Sequence, residues 1–179
     1  MPPASGASSI GTAASKWGGR PGNGFGPGDF GAIILENRME WPVIYLGMMS
    51  AGLACVPLDT QLSNEEIANL VCDSGAKVLF CSYEIFTKKI TPDIRGRLNK
   101  IVVLGLRESG GPNCVTFEEA SNFSRATEFT FPQDPEAIAS LIYTSGTTAT
   151  PKGVLLTHKN ICSNFISISK VGLFKQDDN

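Results

Sequence analysis

Residues 51–80 read AGLACVPLDTQLSNEEIANLVCDSGAKVLF, and the order of signals along them decides the fold. Residues 53–58 (LACVPL) are a short apolar run without polar alternation, the pattern of a strand buried on both faces. Ser63 followed three residues later by Glu66 is a capping box, and Ile67, Leu70 and Val71 then recur at helical spacing. Gly75 ends that helix and residues 77–81 (KVLFC) begin another apolar strand. A strand, a helix and a second strand in about thirty residues make a crossover unit with parallel strands.

The same alternation extends in both directions. Upstream, residues 30–35 (FGAIIL) predict a buried strand and residues 39–51 a helix, with Asn37 as its cap, Pro42 tolerated in its first turn and Gly52 ending it. Downstream, residues 83–97 predict one helix and residues 100–104 (KIVVL) a strand. Residues 109–133 are weaker, with loops around Pro112 and Asn113 and one helical turn over 116–120. Residues 137–143 (AIASLIY) are another buried strand, 153–156 a short apolar segment, and 158–171 a helix with Ile161, Phe165 and Ile168 on one face. The fold class is therefore α/β, a layered and mostly parallel sheet with helices on both faces. Residues 29–179 form this unit, and residues 1–28, rich in Gly, Pro, Ala and Ser, are expected to be disordered.

Composition excludes several functions. With 179 residues, 42% apolar and 18% charged, the chain suits one globular domain. The net charge of −2 and the absence of a Lys/Arg face argue against nucleic acid as a partner. Five scattered cysteines without a C-x-x-C pair read as reduced core thiols, and no secretory signal or membrane-spanning run is evident, so a cytoplasmic protein is expected. His158 is the single histidine, which removes a His-rich zinc site. Trp41 and the pair Met48 and Met49 read as core, and Asp59 as a turn residue.

The chemistry concentrates in residues 143–153, YTSGTTATPKG, where four Thr, one Ser, two Gly and one Lys fall within eleven positions between apolar runs. Backbone N–H groups, hydroxyls and one cation are what a polyphosphate needs around it, and Gly146 permits close main-chain approach. Composition alone also allows a polar surface loop. The segment is not the P-loop of the NTPases: the fifth residue after Gly146 is Pro151, and Lys152 leads through Gly153 into a strand instead of a helix. Gly22, Gly24 and Gly26 imitate a dinucleotide-binding glycine pattern, but no strand precedes them.

LIYTSGTTATPKGVLLTHKN, residues 141–160, closely resembles the phosphate-binding signature of adenylate-forming (AMP-binding) enzymes, which include acyl- and aryl-CoA synthetases, luciferases and peptide-synthetase adenylation domains. PGDFGAIILENRMEW (27–41) and residues 51–80 follow that family's opening order of elements, and the wording is most similar to long-chain fatty acyl-CoA synthetases. The resemblance covers residues 28–179 and implies an incomplete N-terminal domain of such an enzyme. It implies that Thr144, Ser145, Gly146, Thr147 and Thr148 cradle the β- and γ-phosphates of ATP, that Thr148 contacts Mg²⁺, and that Lys152 pairs with the phosphates and supports the departing pyrophosphate, so Lys152 and Thr148 are its catalytic candidates. His158 lies near the acyl-binding side by the same resemblance, and reads equally as a half-buried packing residue at a helix start.

The implied parent reaction activates a carboxylic acid, a fatty acid by the branch resemblance, to an acyl-adenylate and then to acyl-CoA. ATP, the acid and CoA are its small-molecule partners, and peripheral membrane contact of the parent is left open. The family's adenine, ribose and acyl-pocket segments would lie beyond Asn179, so the isolated chain is expected to turn over little. A second reading is a truncated, non-catalytic phosphate- or nucleotide-binding or interaction protein; a third is a luciferase-like or peptide-synthetase adenylation enzyme. One departure lies inside the loop, where Ala149 stands in place of the family's usual glycine. Weaker phosphate binding than in Ala149→Gly is expected there if that position needs a positive φ.

Overall fold

The computed structural model describes residues 26–121, 134–144 and 151–170. The expected disorder of the amino-terminal segment falls on residues 1–25, outside the described residues, and residues 26–28 are held in a turn. In it the Gly26 N–H donates to Asp29 Oδ2 at 2.7 Å and the Gly28 N–H to Gly52 O at 2.8 Å.

Among the described residues, seven strands form one sheet in the order β5-β4-β3-β1-β2-β6-β7. The first five are β1 (Phe30–Ile34), β2 (Ala54–Pro57), β3 (Val78–Ser82), β4 (Lys100–Leu104) and β5 (Cys114–Thr116). They are followed by β6 (Ile138–Thr144) and β7 (Lys152–Thr157). Every pairing is parallel except that of β6 with β7, which is antiparallel. The helices are α1 (Glu40–Ser50), α2 (Asn64–Ser74), α3 (Tyr83–Lys89), α4 (Pro92–Arg97), α5 (Phe117–Ser121) and α6 (His158–Lys170).

Alternation within strands sorts the core into two layers, because successive side chains leave a strand on opposite faces. Ala32 and Ile34, Leu79 and Cys81, and Ile101 and Val103 meet Ile67, Leu70 and Val71 of α2, Ile85 and Phe86 of α3, and Ile94 of α4. Ile33, Val78 with Phe80, and Val102 with Leu104 meet Ile44 and Met48 of α1 and Ala120 of α5. Helices on both faces explain why these strands read as unbroken apolar runs. Gly31 lets α1 close on the sheet, since a β-carbon there would lie 2.6 Å from Met48 Sδ. Trp41 stacks on Tyr45 with centroids 5.1 Å apart and Met48 is fully buried, which makes both part of the core as expected.

The capping box of α2 is present in full. Ser63 Oγ accepts from the Glu66 N–H at 3.3 Å, and Glu66 Oε2 accepts from the Ser63 N–H at 2.7 Å. Gly75 closes the helix at φ 62°. Asp59 Oδ1 accepts from the Gln61 N–H at 2.8 Å, the turn role read from sequence.

Several expectations are corrected. Asn37 does not cap α1; the cap position is Met39, with no side-chain bond. A cap side chain accepts from the N–H two or three residues on, and Asn37 stands two positions before the cap site of a helix that begins at Glu40. Residues 83–97 are two helices, not one. Pro92 has no N–H and holds Thr91 extended (φ −68°, ψ 162°), so Thr91 caps a new helix by accepting from the Ile94 N–H at 3.4 Å. The weak region contains a strand, β5, whose three residues are too few to show periodicity in sequence but pair with Ile101, Val102 and Val103. Of the cysteines, Cys55, Cys81 and Cys114 are buried, whereas Cys72 and Cys162 are exposed, so the reading of all five as core thiols is too broad.

Candidate functional site

The site candidates lie on the β6–β7 hairpin. Because β6 runs parallel to β2, Thr144 stands at the carboxyl end of a parallel strand, where open α/β sheets place their ligands. The antiparallel register pairs Ile142 with Val154, Tyr143 with Gly153 and Thr144 with Lys152. Thr144 and Lys152 therefore close the mouth of the loop, and the Thr144 hydroxyl donates to Lys152 O at 3.4 Å. Ser145, Gly146, Thr147, Thr148 and Ala149 lie outside the described residues, and with them the magnesium contact expected of Thr148.

Directly paired residues of an antiparallel ladder share a face, so the hairpin has two unlike sides. Thr144, Lys152, Ile142 and Val154 share one, and Leu141, Tyr143, Gly153 and Leu155 the other. The second side turns toward α2: Leu141 belongs to the core layer beneath that helix and Tyr143 packs on it. Gly153 is required there, because a β-carbon would lie 2.8 Å from Leu141 Cδ1 and 3.4 Å from Tyr143 Cε1. On the first side Lys152 is exposed, and among the described residues no carboxylate forms an ion pair with it. An exposed ammonium at the mouth of a hydroxyl-rich loop is a fit for phosphate oxygens.

His158 is placed elsewhere. It is the first residue of α6, half-buried, and its N–H donates to Ala137 O at 3.1 Å. The five steps of β7 from Lys152 put Thr157, its chain neighbour, about 17 Å along the strand from the loop mouth. The helix start is fixed by Thr157 and Asn160. The Asn160 N–H donates to Thr157 Oγ1 at 3.2 Å, and Asn160 Oδ1 accepts from the Thr157 N–H at 3.0 Å. The structure thus brings Thr144 and Lys152 together and does not bring His158 to them.

Two residues absent from the sequence-derived set belong to this neighbourhood. Tyr143 donates its hydroxyl to Asp73 Oδ2 at 2.5 Å, across seventy positions of sequence. Burial, and then that bond to Asp73, push the Tyr143 hydroxyl well above its ordinary value. The only sequence signal was Asp73 itself, an acid in the last turn of a helix with no base there. By contrast, burial raises the Cys55 and Cys81 thiols well above their usual range, which makes them inert packing groups.

Comparison with known proteins settles the lineage. The AMP-binding enzyme family matches residues 20–179. The chain belongs to that family. It is 32% identical over 152 residues to surfactin synthase subunit 1 of Bacillus subtilis, covering 82% of the chain and 4% of that protein. It is 31% identical over 160 residues to the peroxisomal long chain acyl-CoA synthetase 6 of Arabidopsis thaliana, covering 81% of the chain and 22% of that enzyme. Among solved structures, ATP-bound MatB from Rhodopseudomonas palustris superposes with a TM-score of 0.78 at 25% identity, over 96% of this chain and 32% of that one. The anthranilate CoA ligase AuaEII, in complex with anthranoyl-AMP, gives a TM-score of 0.71 at 30% identity, over 86% and 28%. The chain therefore spans less than a third of each of these proteins, and within the family both acyl-CoA synthetases and peptide synthetases are among its relatives. Among the described residues no helix is long and apolar enough to cross a membrane.

Proposed function

We propose that the β6–β7 loop of this AMP-binding chain holds the triphosphate of ATP while a carboxylic acid is activated. In that step a carboxylate oxygen bonds to the α-phosphorus and the bond to the β-phosphate oxygen breaks. Acyl-adenylate and pyrophosphate result. Charge accumulates on the departing pyrophosphate, and Lys152 offsets it from the loop mouth. Ser145, Gly146, Thr147 and Thr148 donate to the phosphates beside Thr144, Thr148 also contacts the Mg²⁺ that accompanies ATP, and His158 faces the acyl side. The observation that carries this reading is the register that sets an exposed Lys152 directly opposite Thr144 at the carboxyl end of β6.

The finer reading is that the acid is a fatty acid and that CoA thiol then displaces AMP from the adenylate. It is supported by the long chain acyl-CoA synthetase among the relatives, and opposed by the peptide synthetase that matches as well. Acid-dependent exchange of labelled pyrophosphate into ATP tests both levels, in an enzyme that includes this chain and has the length of its relatives. Exchange driven by fatty acids and followed by acyl-CoA formation is the expected result. Exchange driven by amino acids would keep the phosphate role and discard the fatty-acid reading. A Lys152→Ala enzyme that exchanges at the wild-type rate would discard the phosphate role itself.

A further inference from the structure

Past Ser140 the hairpin leaves the support of the sheet. The pairing of β6 with β2 consists of Cys55 with Ser140, and Pro57, at the end of β2, brings no N–H to extend it. Among the described residues, 141–144 are laddered to β7 alone, and β7 ends the strand order. A site that must hold phosphate oxygens to within a few tenths of an ångström sits at the free end of this two-stranded ribbon. Its precision depends on what holds that end in place.

Side-chain hydrogen bonding from Tyr143 joins the ribbon end to α2, at Asp73 and Ser74. Tyr143 immediately precedes Thr144, and its side chain leaves the hairpin on the side away from Lys152. The ring lies against Gly153, the neighbour of Lys152, and the hydroxyl reaches Asp73 Oδ2 at 2.5 Å. Asp73 stands in the last turn of α2, where the helix dipole disfavours an acid and no base accompanies it. Its location is poor for α2 and apt for an acceptor of the Tyr143 hydroxyl. The bond is exposed, and its length falls in the short range of O–H···O⁻ bonds.

We propose that Tyr143 and Asp73 form a positioning tether that clamps the loop-bearing end of the hairpin to α2, so that Thr144 and Lys152 are aligned before phosphate arrives. Neither residue touches substrate; both act through their neighbours on the ribbon. The proposal rests on the phosphate reading of the loop and adds to it the residues that set the loop's position.

The test uses the full 179-residue chain, inorganic tripolyphosphate as the probe, and amide hydrogen exchange over residues 141–144 and 152–154. Tyr143→Phe keeps the ring and removes only the hydroxyl, so the packing against Gly153 survives. It is expected to weaken tripolyphosphate binding about five- to tenfold and to speed exchange at the ribbon end by a similar factor. Asp73→Ala is expected to do the same, and the double variant to do no worse than either single one. Asp73→Asn, whose amide oxygen still accepts, should recover most of the loss. Unchanged affinity and exchange in Tyr143→Phe would overturn the tether, as would a fall in thermal stability alone. Additive losses in the double variant would overturn it too. A wild-type chain that does not bind tripolyphosphate would overturn the phosphate reading beneath it, and that outcome is distinct from equal binding by wild type and variants.

Discussion

The sheet from β1 to β5 and the hairpin β6–β7 with α6 are built by opposite rules. In the first, strands are covered on both faces, and Ile33, Ile34, Leu79, Ile101 and Val102 are wholly buried. In the second, Val154 is 44% and Leu155 52% exposed, Phe165 on α6 is 69% exposed, and no side chain of α6 is buried. Among the described residues, the wholly buried large aliphatic side chains of the sheet lie in β1 to β4, and Thr144 and Lys152 lie outside that group. Burial of large aliphatic side chains contributes about 1.5–3 kcal/mol each, and the covered strands concentrate that contribution away from the loop. Ala139, Ser140 and Leu141 of β6 belong to the covered sheet, and the exposed side chains of the hairpin begin at Ile142.

Truncation should show the contrast most strongly. Ile101→Ala is expected to lower stability by about 2–5 kcal/mol, whereas Leu155→Ala on the hairpin should stay within about 0.5 kcal/mol. Urea unfolding of the two variants checks this, and equal losses would mean that the hairpin is part of the core. Gly153→Val is the point at which the regions meet. The added branched side chain collides with Leu141, so a loss of about 1–3 kcal/mol is expected, together with disturbed pairing of Tyr143 with Gly153. A Gly153→Val chain as stable as wild type would show that the hairpin can lift from α2 at no cost.

Smaller effects sharpen the same comparison. Thiol labelling should find Cys72 and Cys162 fast and Cys55 and Cys81 slow, because burial keeps the latter two protonated. The smallest expected effect is on pH. Bonds from the Ser63 backbone N–H and hydroxyl hold the Glu66 carboxyl below its ordinary 4.5. A lowered folded-state pKa gives stability that is present above 4.5 and lost as pH falls through the folded value. Glu66→Gln should therefore lose that small contribution above about pH 4.5 and converge with wild type at lower pH, which flattens the acid limb. A limb identical to that of wild type would remove the capping box from the account.

How far the sequence carried depends on the range of the interaction concerned. The covered strands were legible because burial on both faces writes itself as apolar runs, and α2 was legible because Ser63, Glu66 and Gly75 act within a few residues. The break at Pro92 was visible in residue type but was outweighed by the helical pattern on either side. The three residues of β5 carry too little pattern to read. Asn37 failed as a cap because the helix begins at Glu40, two residues later than a cap at Asn37 requires. At the site, Thr144 and Lys152 were legible as chemistry, and the register then set them face to face. The bond from Tyr143 to Asp73 joins residues seventy positions apart and has no local signature beyond a misplaced acid. His158 was read both as an acyl-side residue and as a packing residue at a helix start; it begins α6, at the end of β7 opposite the loop.

The central claim is that Lys152, opposite Thr144, serves the phosphates and not the fold. Calorimetric titration of ATP into the wild-type chain and into Lys152→Ala, with thermal unfolding of both, tests it most directly. The expected result is binding by wild type, at least tenfold weaker binding by Lys152→Ala, and closely similar unfolding temperatures, since an exposed side chain without an ion pair contributes little to stability. Equal ATP affinity in the two chains would contradict the account.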